Sequence, residues 1–202
     1  MKRRLLLVIV GSFLLGSLIG VGALMLNQAS PNKNRVITSG QALIGGPFEL
    51  VGKDGKTVTD EDFRGRYMLV FFGFTHCPDI CPAELQVMSA ALDELGDKAD
   101  KVVPIFITVD PERDTPELVT AYVENFGPNF VGLTGSPQAI AEAAKAYRVT
   151  YQKFQEEGAG DNNYSVDHSA LLYLMGPDGK FVTHFPYGTS PEKMAETLRR
   201  YL

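Results

Sequence analysis

The chain has 202 residues, 45% of them hydrophobic, which suits one globular domain with a substantial core rather than a disordered or fibrous protein. Its 19 basic and 24 acidic residues give a net charge of −5, which argues against nucleic-acid binding because affinity for phosphates depends on an excess of Lys and Arg. No internal repeat is visible in the sequence.

The chain opens with a basic cluster followed by an uncharged apolar run. Lys2, Arg3 and Arg4 precede the 22 residues from Leu5 to Leu26. As a helix this run would extend about 33 Å, which matches a bilayer core of about 30 Å. The run is longer than the apolar part of a cleaved signal peptide, and no A-x-A-like cleavage site follows it. The sequence therefore predicts an uncleaved membrane anchor at residues 1–26, with its basic end in the cytoplasm.

A polar segment follows the anchor, and the rest of the chain has the composition of a folded domain. Residues 27–45 include Pro, Asn, Ser and Gly and are interpreted as a tether, and residues 46–202 as the domain. Without Lys2, Arg3 and Arg4, the 19 basic residues fall to 16 against 24 acidic residues, which is about −8. Such an acidic domain is again a poor partner for nucleic acid.

Six short runs have the composition of β-strands. Three of them, Tyr67–Phe72, Val102–Val109 and Leu171–Met175, are almost continuously apolar, which is typical of central strands covered on both faces. The other three are Phe48–Leu50, Val131–Leu133 and Lys180–Phe185. Turn residues at 53–56 and 176–179 predict two tight hairpin turns.

Helical segments alternate with these strands. Three of them follow a hydroxyl residue and a proline, the pattern of a capped helix start; they are Glu117–Phe126 after Thr115, Gln138–Tyr147 after Ser136 and Glu192–Leu202 after Ser190. In a fourth helix, running to about Leu95, Cys81 takes the place of the capping residue, where the helix dipole would favour its thiolate. The alternation predicts an α/β sandwich with a mixed central sheet.

Cys77 and Cys81 are the only cysteines of the chain. A disulfide between them would close so short a loop that it would add little stability. We therefore interpret the pair as chemically active: a redox couple, ligands of a soft metal ion, or both. A strand, a loop with two cysteines and a helix form the layout of a thioredoxin-like active site, but C-x-x-x-C has a wider bite than C-x-x-C.

Two sulfur ligands leave a metal site incomplete, and His168 is the candidate for the third ligand. It lies directly before the strand Leu171–Met175, where a thioredoxin-like domain faces its active cysteines. Asp167 is a candidate to orient the imidazole, with capping of the loop as the alternative. His76 and His184 are interpreted as structural or surface residues. Two thiolates and one imidazole favour copper, as Cu(I) or Cu(II), because structural zinc normally takes four protein ligands.

These motifs resemble those of the Sco/SenC family of copper chaperones for cytochrome c oxidase. The resemblance runs from about Gly46 to the C-terminus and rests on three elements in order: Phe72–Pro82, Thr108–Thr115 and Val166–Ser169. It implies a thioredoxin-like fold, copper bound by Cys77, Cys81 and His168, and action on the binuclear copper A site of oxidase subunit II. That action would be delivery of copper to the site or reduction of its cysteines.

Further partners and a location are also predicted. The partners are another copper chaperone as donor and a thioredoxin-like protein as reductant. The apolar run and its basic end predict the location, the bacterial inner membrane, with a single span, the N-terminus in the cytoplasm and the domain in the periplasm.

Alternatives remain open for the second element and for the function. Asp110 and Asp114 are either loop and helix-start carboxylates or groups that serve partner docking or copper transfer. A metallochaperone without turnover chemistry is the leading hypothesis, and the rivals are a thiol–disulfide oxidoreductase and a redox or copper sensor. A peroxidase of the peroxiredoxin kind is disfavoured, since Thr75 lies only two residues before Cys77.

Overall fold

Residues 43–155 and 164–202 are described by a computed structural model of the protein. The predicted anchor at residues 1–26, and all but the last three residues of the predicted tether at 27–45, lie outside the described residues. Within the two described ranges, none of the helices has the length and apolarity needed to cross a bilayer.

The described residues form nine strands and four α-helices. In chain order the strands are β1 (Glu49–Val51), β2 (Thr57–Thr59), β3 (Tyr67–Gly73), β4 (Val102–Thr108), β5 (Val131–Leu133), β6 (Tyr151–Phe154), β7 (Ser165–His168), β8 (Leu171–Met175) and β9 (Phe181–Pro186). The helices are α1 (Ile80–Leu95), α2 (Pro116–Glu124), α3 (Pro137–Ala146) and α4 (Pro191–Arg199).

The centre of the fold is a five-stranded sheet in the order β5-β4-β3-β8-β9. β3 runs parallel to β4, and β4 runs parallel to β5. β8 is antiparallel both to β3 and to β9. The predicted α/β fold with a mixed sheet is confirmed, and all six predicted strands exist within one or two residues of their predicted bounds.

β3 and β4 lie in the interior because their side chains are apolar on both faces. Phe71 and Phe72 are both fully buried and point to opposite faces: the ring of Phe71 packs against Phe106 and the ring of Phe72 against Tyr147. Such strands are stable only in the middle of a layered α/β fold, where both faces are removed from water. The loop that leaves β3 is therefore anchored to the buried centre of the sheet.

Three helices begin as predicted. The side chains of Thr115, Ser136 and Ser190 each accept a backbone N–H three residues on, and a proline occupies the first turn in each case. The helices end one to three residues earlier than predicted. The fourth helix differs, because α1 begins at Ile80 with Asp79 in the capping position, and Asp79 makes no side-chain cap. Cys81 is thus the second residue of α1, and the prediction that it caps the helix is wrong.

A small hairpin formed by β6 and β7 was absent from the sequence prediction. Its two strands pair with each other as a separate two-stranded sheet. Their sequences are short and mostly polar, and only Val166 among them is buried, so the apolar signal of a strand is missing. As a consequence, Asp167 and His168 lie at the end of a strand rather than in a loop.

Candidate metal centre

The two cysteines lie where β3 passes into α1. Gly73 ends β3, a short loop carries Cys77, and Cys81 lies in the first turn of the helix. The backbone N–H of Cys77 donates to Phe74 O at 3.2 Å, and the N–H of Cys81 donates to Cys77 Sγ at 3.4 Å. Both cysteines are free thiols; Cys77 is half-buried and Cys81 is fully buried.

The environment makes the two thiols chemically unequal. A hydrogen bond from the Cys81 thiol, supported by backbone N–H groups of Cys81, Asp79 and Ile80, lowers the pKa of Cys77 to about 5. The same hydrogen bond, together with burial, raises the pKa of Cys81. The helix N-terminus therefore stabilises the thiolate of Cys77, which lies before the helix, and the sequence-based assignment of the thiolate to Cys81 is wrong.

His168 approaches Cys81 from the end of β7. Its Nε2 is 3.6 Å from Cys81 Sγ, and its Nδ1 is 3.2 Å from Ser169 O. A carbonyl oxygen only accepts hydrogen bonds, so Nδ1 carries the hydrogen in that contact and the lone pair of Nε2 is directed to Cys81. Burial lowers the pKa of His168, which keeps the imidazole neutral and able to bind a metal at neutral pH.

Aromatic rings hold the imidazole in place. The ring centroids of Phe71 and Phe74 each lie 6.0 Å from that of His168, both in edge arrangements. Phe74 follows β3 directly, so the same segment that leads to Cys77 also packs against His168. The sequence analysis did not assign these phenylalanines to the site, since a buried aromatic residue in or beside a strand has no signature that separates it from ordinary core.

The spacing of Cys81 and His168 fits two ligands of one ion. Metal bonds of about 2.3 Å to sulfur and about 2.0 Å to nitrogen, 120° apart, would place the two atoms about 3.7 Å from each other. The observed 3.6 Å agrees with this value. Cys77 contacts Cys81, but nowhere in residues 43–155 and 164–202 do three His, Cys, Asp or Glu side chains already form a cluster that could hold a metal. Cys77 would have to move to complete a three-ligand site.

Asp110 and Asp114, predicted as docking or supporting groups, are both fully buried. Asp114 accepts hydrogen bonds from the backbone N–H and the hydroxyl of Thr75, at 3.0 and 2.5 Å, and from Thr108 at 2.5 Å. Asp110 accepts from Tyr164 OH at 2.6 Å. Because these carboxylates have no exposed surface, they support the loops around the centre, and direct contact with a partner is not available to them in this conformation.

Asp167 is exposed and does not hold the imidazole as predicted, since the contact at His168 Nδ1 is made by Ser169 O. The charge of Asp167 still raises the pKa of His168, against the larger effect of burial.

The other predicted roles concern His76 and His184. Nδ1 of the half-exposed His76 contacts the Thr75 hydroxyl at 3.1 Å, and the exposed His184 stacks on Phe181 in β9.

A sheet of this topology, with two cysteines at the junction of a central strand and a helix and a histidine facing them, defines a thioredoxin-like protein with a Cys-x-x-x-Cys/His centre. The sequence model of the SCO1/SenC family matches residues 37–202. The chain therefore belongs to the SCO1/SenC family, which confirms the resemblance found in the sequence.

Comparisons with individual proteins support this assignment. The chain is 48% identical over 160 residues to the mitochondrial SCO1 homolog 1 of Arabidopsis thaliana, covering 76% of this chain and 47% of that protein. It thus spans about half the length of that relative. The copper-bound structure of ScoI from Bradyrhizobium japonicum superposes with a TM-score of 0.72 at 48% identity, covering 79% of this chain and 99% of that one.

A third comparison concerns thiol chemistry. The structure of BsSco superposes with a TM-score of 0.61 at 27% identity, covering 80% of this chain and 93% of that one. BsSco is described as carrying a disulfide switch and as a member of the Sco family of cytochrome c oxidase assembly proteins. One of these relatives is thus described with copper bound and another with a disulfide switch.

Proposed function

We propose that this protein is a copper metallochaperone whose ion is held by Cys77, Cys81 and His168. The observation that carries the proposal is the approach of His168 Nε2 to 3.6 Å from Cys81 Sγ, beside a second cysteine whose sulfur accepts the Cys81 N–H. Copper bound in relatives such as the Bradyrhizobium protein supports the choice of metal. The donor set itself also supports it, since two thiolates and one imidazole suit a soft, low-coordinate ion such as Cu(I).

Each ligand has a distinct task in this proposal. Cys77 is half-buried and ionised at neutral pH, so it is the ligand that meets incoming copper and the ligand that a recipient can displace. Cys81 and His168 are held more firmly, one in a helix and the other between aromatic rings. Copper is cargo here, and a site with one accessible ligand and two fixed ligands suits its transfer by stepwise ligand exchange.

The recipient we propose is the binuclear copper A site of cytochrome c oxidase subunit II. The link to oxidase assembly is supported by the description of the BsSco relative. In the same proposal residues 1–26 tether the domain to the bacterial inner membrane on its periplasmic side. The proposal also includes a copper donor and a thioredoxin-like reductant that keeps Cys77 and Cys81 reduced.

Replacement of His168 tests the ligand set. His168→Ala should weaken Cu(I) binding at least about tenfold, measured by competition with a chromophoric chelator, because a two-thiolate site lacks the third donor. The matched control is His184→Ala, which removes an exposed imidazole from β9 and should leave the affinity unchanged. Equal Cu(I) affinity in the His168 variant and the wild type would refute the site.

The unequal thiols support a second candidate function, thiol–disulfide exchange. The Cys77 thiolate would attack a disulfide in a target protein and release one target thiolate. Cys81 would then lose its proton and attack the mixed disulfide, which leaves a Cys77–Cys81 disulfide and a fully reduced target. Two electrons pass from the cysteine pair to the target, and the same chemistry would serve a redox or copper sensor.

One mixing experiment separates the two functions. The copper-loaded protein is combined with the apo copper A domain of subunit II, and metal and free thiols are measured together. Copper transfer with unchanged thiols supports the chaperone. Loss of thiols from this protein, with a matching gain in an oxidised copper A domain and no copper taken up by that domain, supports the reductase instead.

A further inference from the structure

His168 is carried by a hairpin that is not part of the main sheet. β6 and β7 pair only with each other, and at the base of the hairpin Ser169 N donates to Thr150 O at 3.0 Å. An isolated two-stranded hairpin is only marginally stable by itself. The position of the imidazole therefore depends on what fixes the hairpin to the rest of the domain.

At the start of β7, three side chains form a compact cluster, here named the clasp: Asp110, Arg113 and Tyr164. Asp110 accepts a hydrogen bond from Tyr164 OH at 2.6 Å and one from Arg113 Nε at 2.5 Å. Arg113 Nη1 donates to Tyr164 O at 3.0 Å, and its guanidinium carbon lies 3.6 Å from the Tyr164 ring centroid. The clasp thus holds Tyr164 by its hydroxyl, its ring and its backbone.

Asp110 and Arg113, the two clasp residues that anchor the tyrosine, are largely buried. Asp110 is fully buried two residues after the end of β4, and its backbone N–H donates to Thr108 Oγ1 at 2.9 Å. The side chain of Arg113 is only 14% exposed, so the ion pair with Asp110 is largely shielded from water and competing ions. A second link between Lys153 and Glu112 is far more exposed and adds little.

The clasp also reaches the cysteine loop. The guanidinium of Arg113 lies 5.9 Å from the Phe74 ring, and Phe74 meets the His168 ring edge-on. Asp114, one residue after Arg113, holds Thr75 on the same loop. The segment between β4 and α2 therefore contacts both halves of the metal centre, the half with the cysteines and the half with the histidine.

We propose that the clasp of Asp110, Arg113 and Tyr164 positions His168 for copper by fixing the β6–β7 hairpin to the segment after β4. This inference rests on the proposed function, because it assumes that His168 is a copper ligand. Tyr164 acts through the placement of the imidazole, since the clasp reaches His168 by way of Phe74. It is a positioning residue for a ligand four residues away in the chain.

Tyr164→Phe tests the proposal, because it removes the hydroxyl and keeps the ring over Arg113. Cu(I) affinity should fall about tenfold, as is usual when the support of a metal ligand is lost. The nitrogen hyperfine splitting in the electron paramagnetic resonance spectrum of the Cu(II) form should change as well. In the matched control Ser89→Ala, a half-buried hydrogen bond to Phe126 O in another part of the domain is lost, and both readouts should stay as in the wild type.

A double-variant cycle separates positioning from general stability. In a His168→Ala background, Tyr164→Phe should change Cu(I) affinity less than about twofold, because the ligand that the clasp positions is gone. An equal loss in both backgrounds, or no loss in either, overturns the clasp while the ligand set stands. If His168→Ala alone leaves Cu(I) affinity unchanged, the proposed function fails first, and the clasp fails with it.

Discussion

Cys77 should react with alkylating agents in a pH range where ordinary cysteines are inert. Its pKa is lowered to about 5, mainly by the hydrogen bond from the Cys81 thiol, whereas a free cysteine titrates near about 8.5. At pH 5.5 about three-quarters of Cys77 would be thiolate, against about 0.1% of an ordinary thiol. A thiolate of lower pKa is also a weaker nucleophile, by about 40-fold for this difference in pKa.

The larger thiolate fraction of Cys77 and its weaker nucleophilicity combine differently at different pH. At pH 5.5 they leave Cys77 about 20-fold more reactive than an ordinary cysteine, whereas at pH 7 they nearly cancel. The midpoint of the pH profile, rather than one rate at neutral pH, therefore carries the information. The assay is iodoacetamide labelling of the reduced protein from pH 4 to 9, with the labelled sulfur identified by mass spectrometry.

Cys81→Ala provides the matched control. It removes the thiol that hydrogen-bonds to Cys77 but keeps the backbone N–H groups of the helix start, so the midpoint should rise by one unit or more and stay below that of a free cysteine. A wild-type midpoint between 8 and 9, or labelling of Cys81 before Cys77, would refute the reasoning.

Two further variants probe the packing and the charge near the centre. Gly73→Ala should lower the free energy of unfolding in urea by about 1–3 kcal/mol, because the added Cβ would lie 2.7 Å from Phe106 Cε2 and 2.9 Å from Cys81 Sγ. Burial raises the pKa of Glu84, whose Oε2 has no hydrogen-bond partner among the described residues. The folded protein therefore favours the protonated carboxyl group. The stability gained from this is complete below pH 4.5 and is lost as the pH rises through the raised pKa. As the pH rises from 5 to 8, the Tm of the Glu84→Gln variant should therefore fall less than the Tm of the wild type. An identical pH dependence in both proteins would contradict this assignment.

Much of the fold follows from local patterns in the chain. The continuous apolar runs that became β3, β4 and β8 can be stable only in the interior of a sheet, and the Ser/Thr-Pro pairs can satisfy free N–H groups only at helix starts. The β6–β7 hairpin escaped prediction because its side chains are mostly polar and its stability comes from contacts distant in sequence, such as Tyr164 with Asp110. A pattern of neighbours along the chain carries no record of such contacts.

The sequence by itself determined which chemical groups are available: two thiols in a C-x-x-x-C spacing after a central strand, and a histidine before another. That information was enough to predict a copper centre, and the motifs around these residues, together with Thr108–Thr115, supported the resemblance to the family. Only the tertiary structure decided how the groups differ. Cys77, and not Cys81, is the thiolate, because the Cys81 N–H and thiol both point to its sulfur. Asp110 and Asp114 face inward because Thr75, Thr108 and Tyr164 close over them. Charge and burial depend on distances in space, and these exist only once the chain has folded.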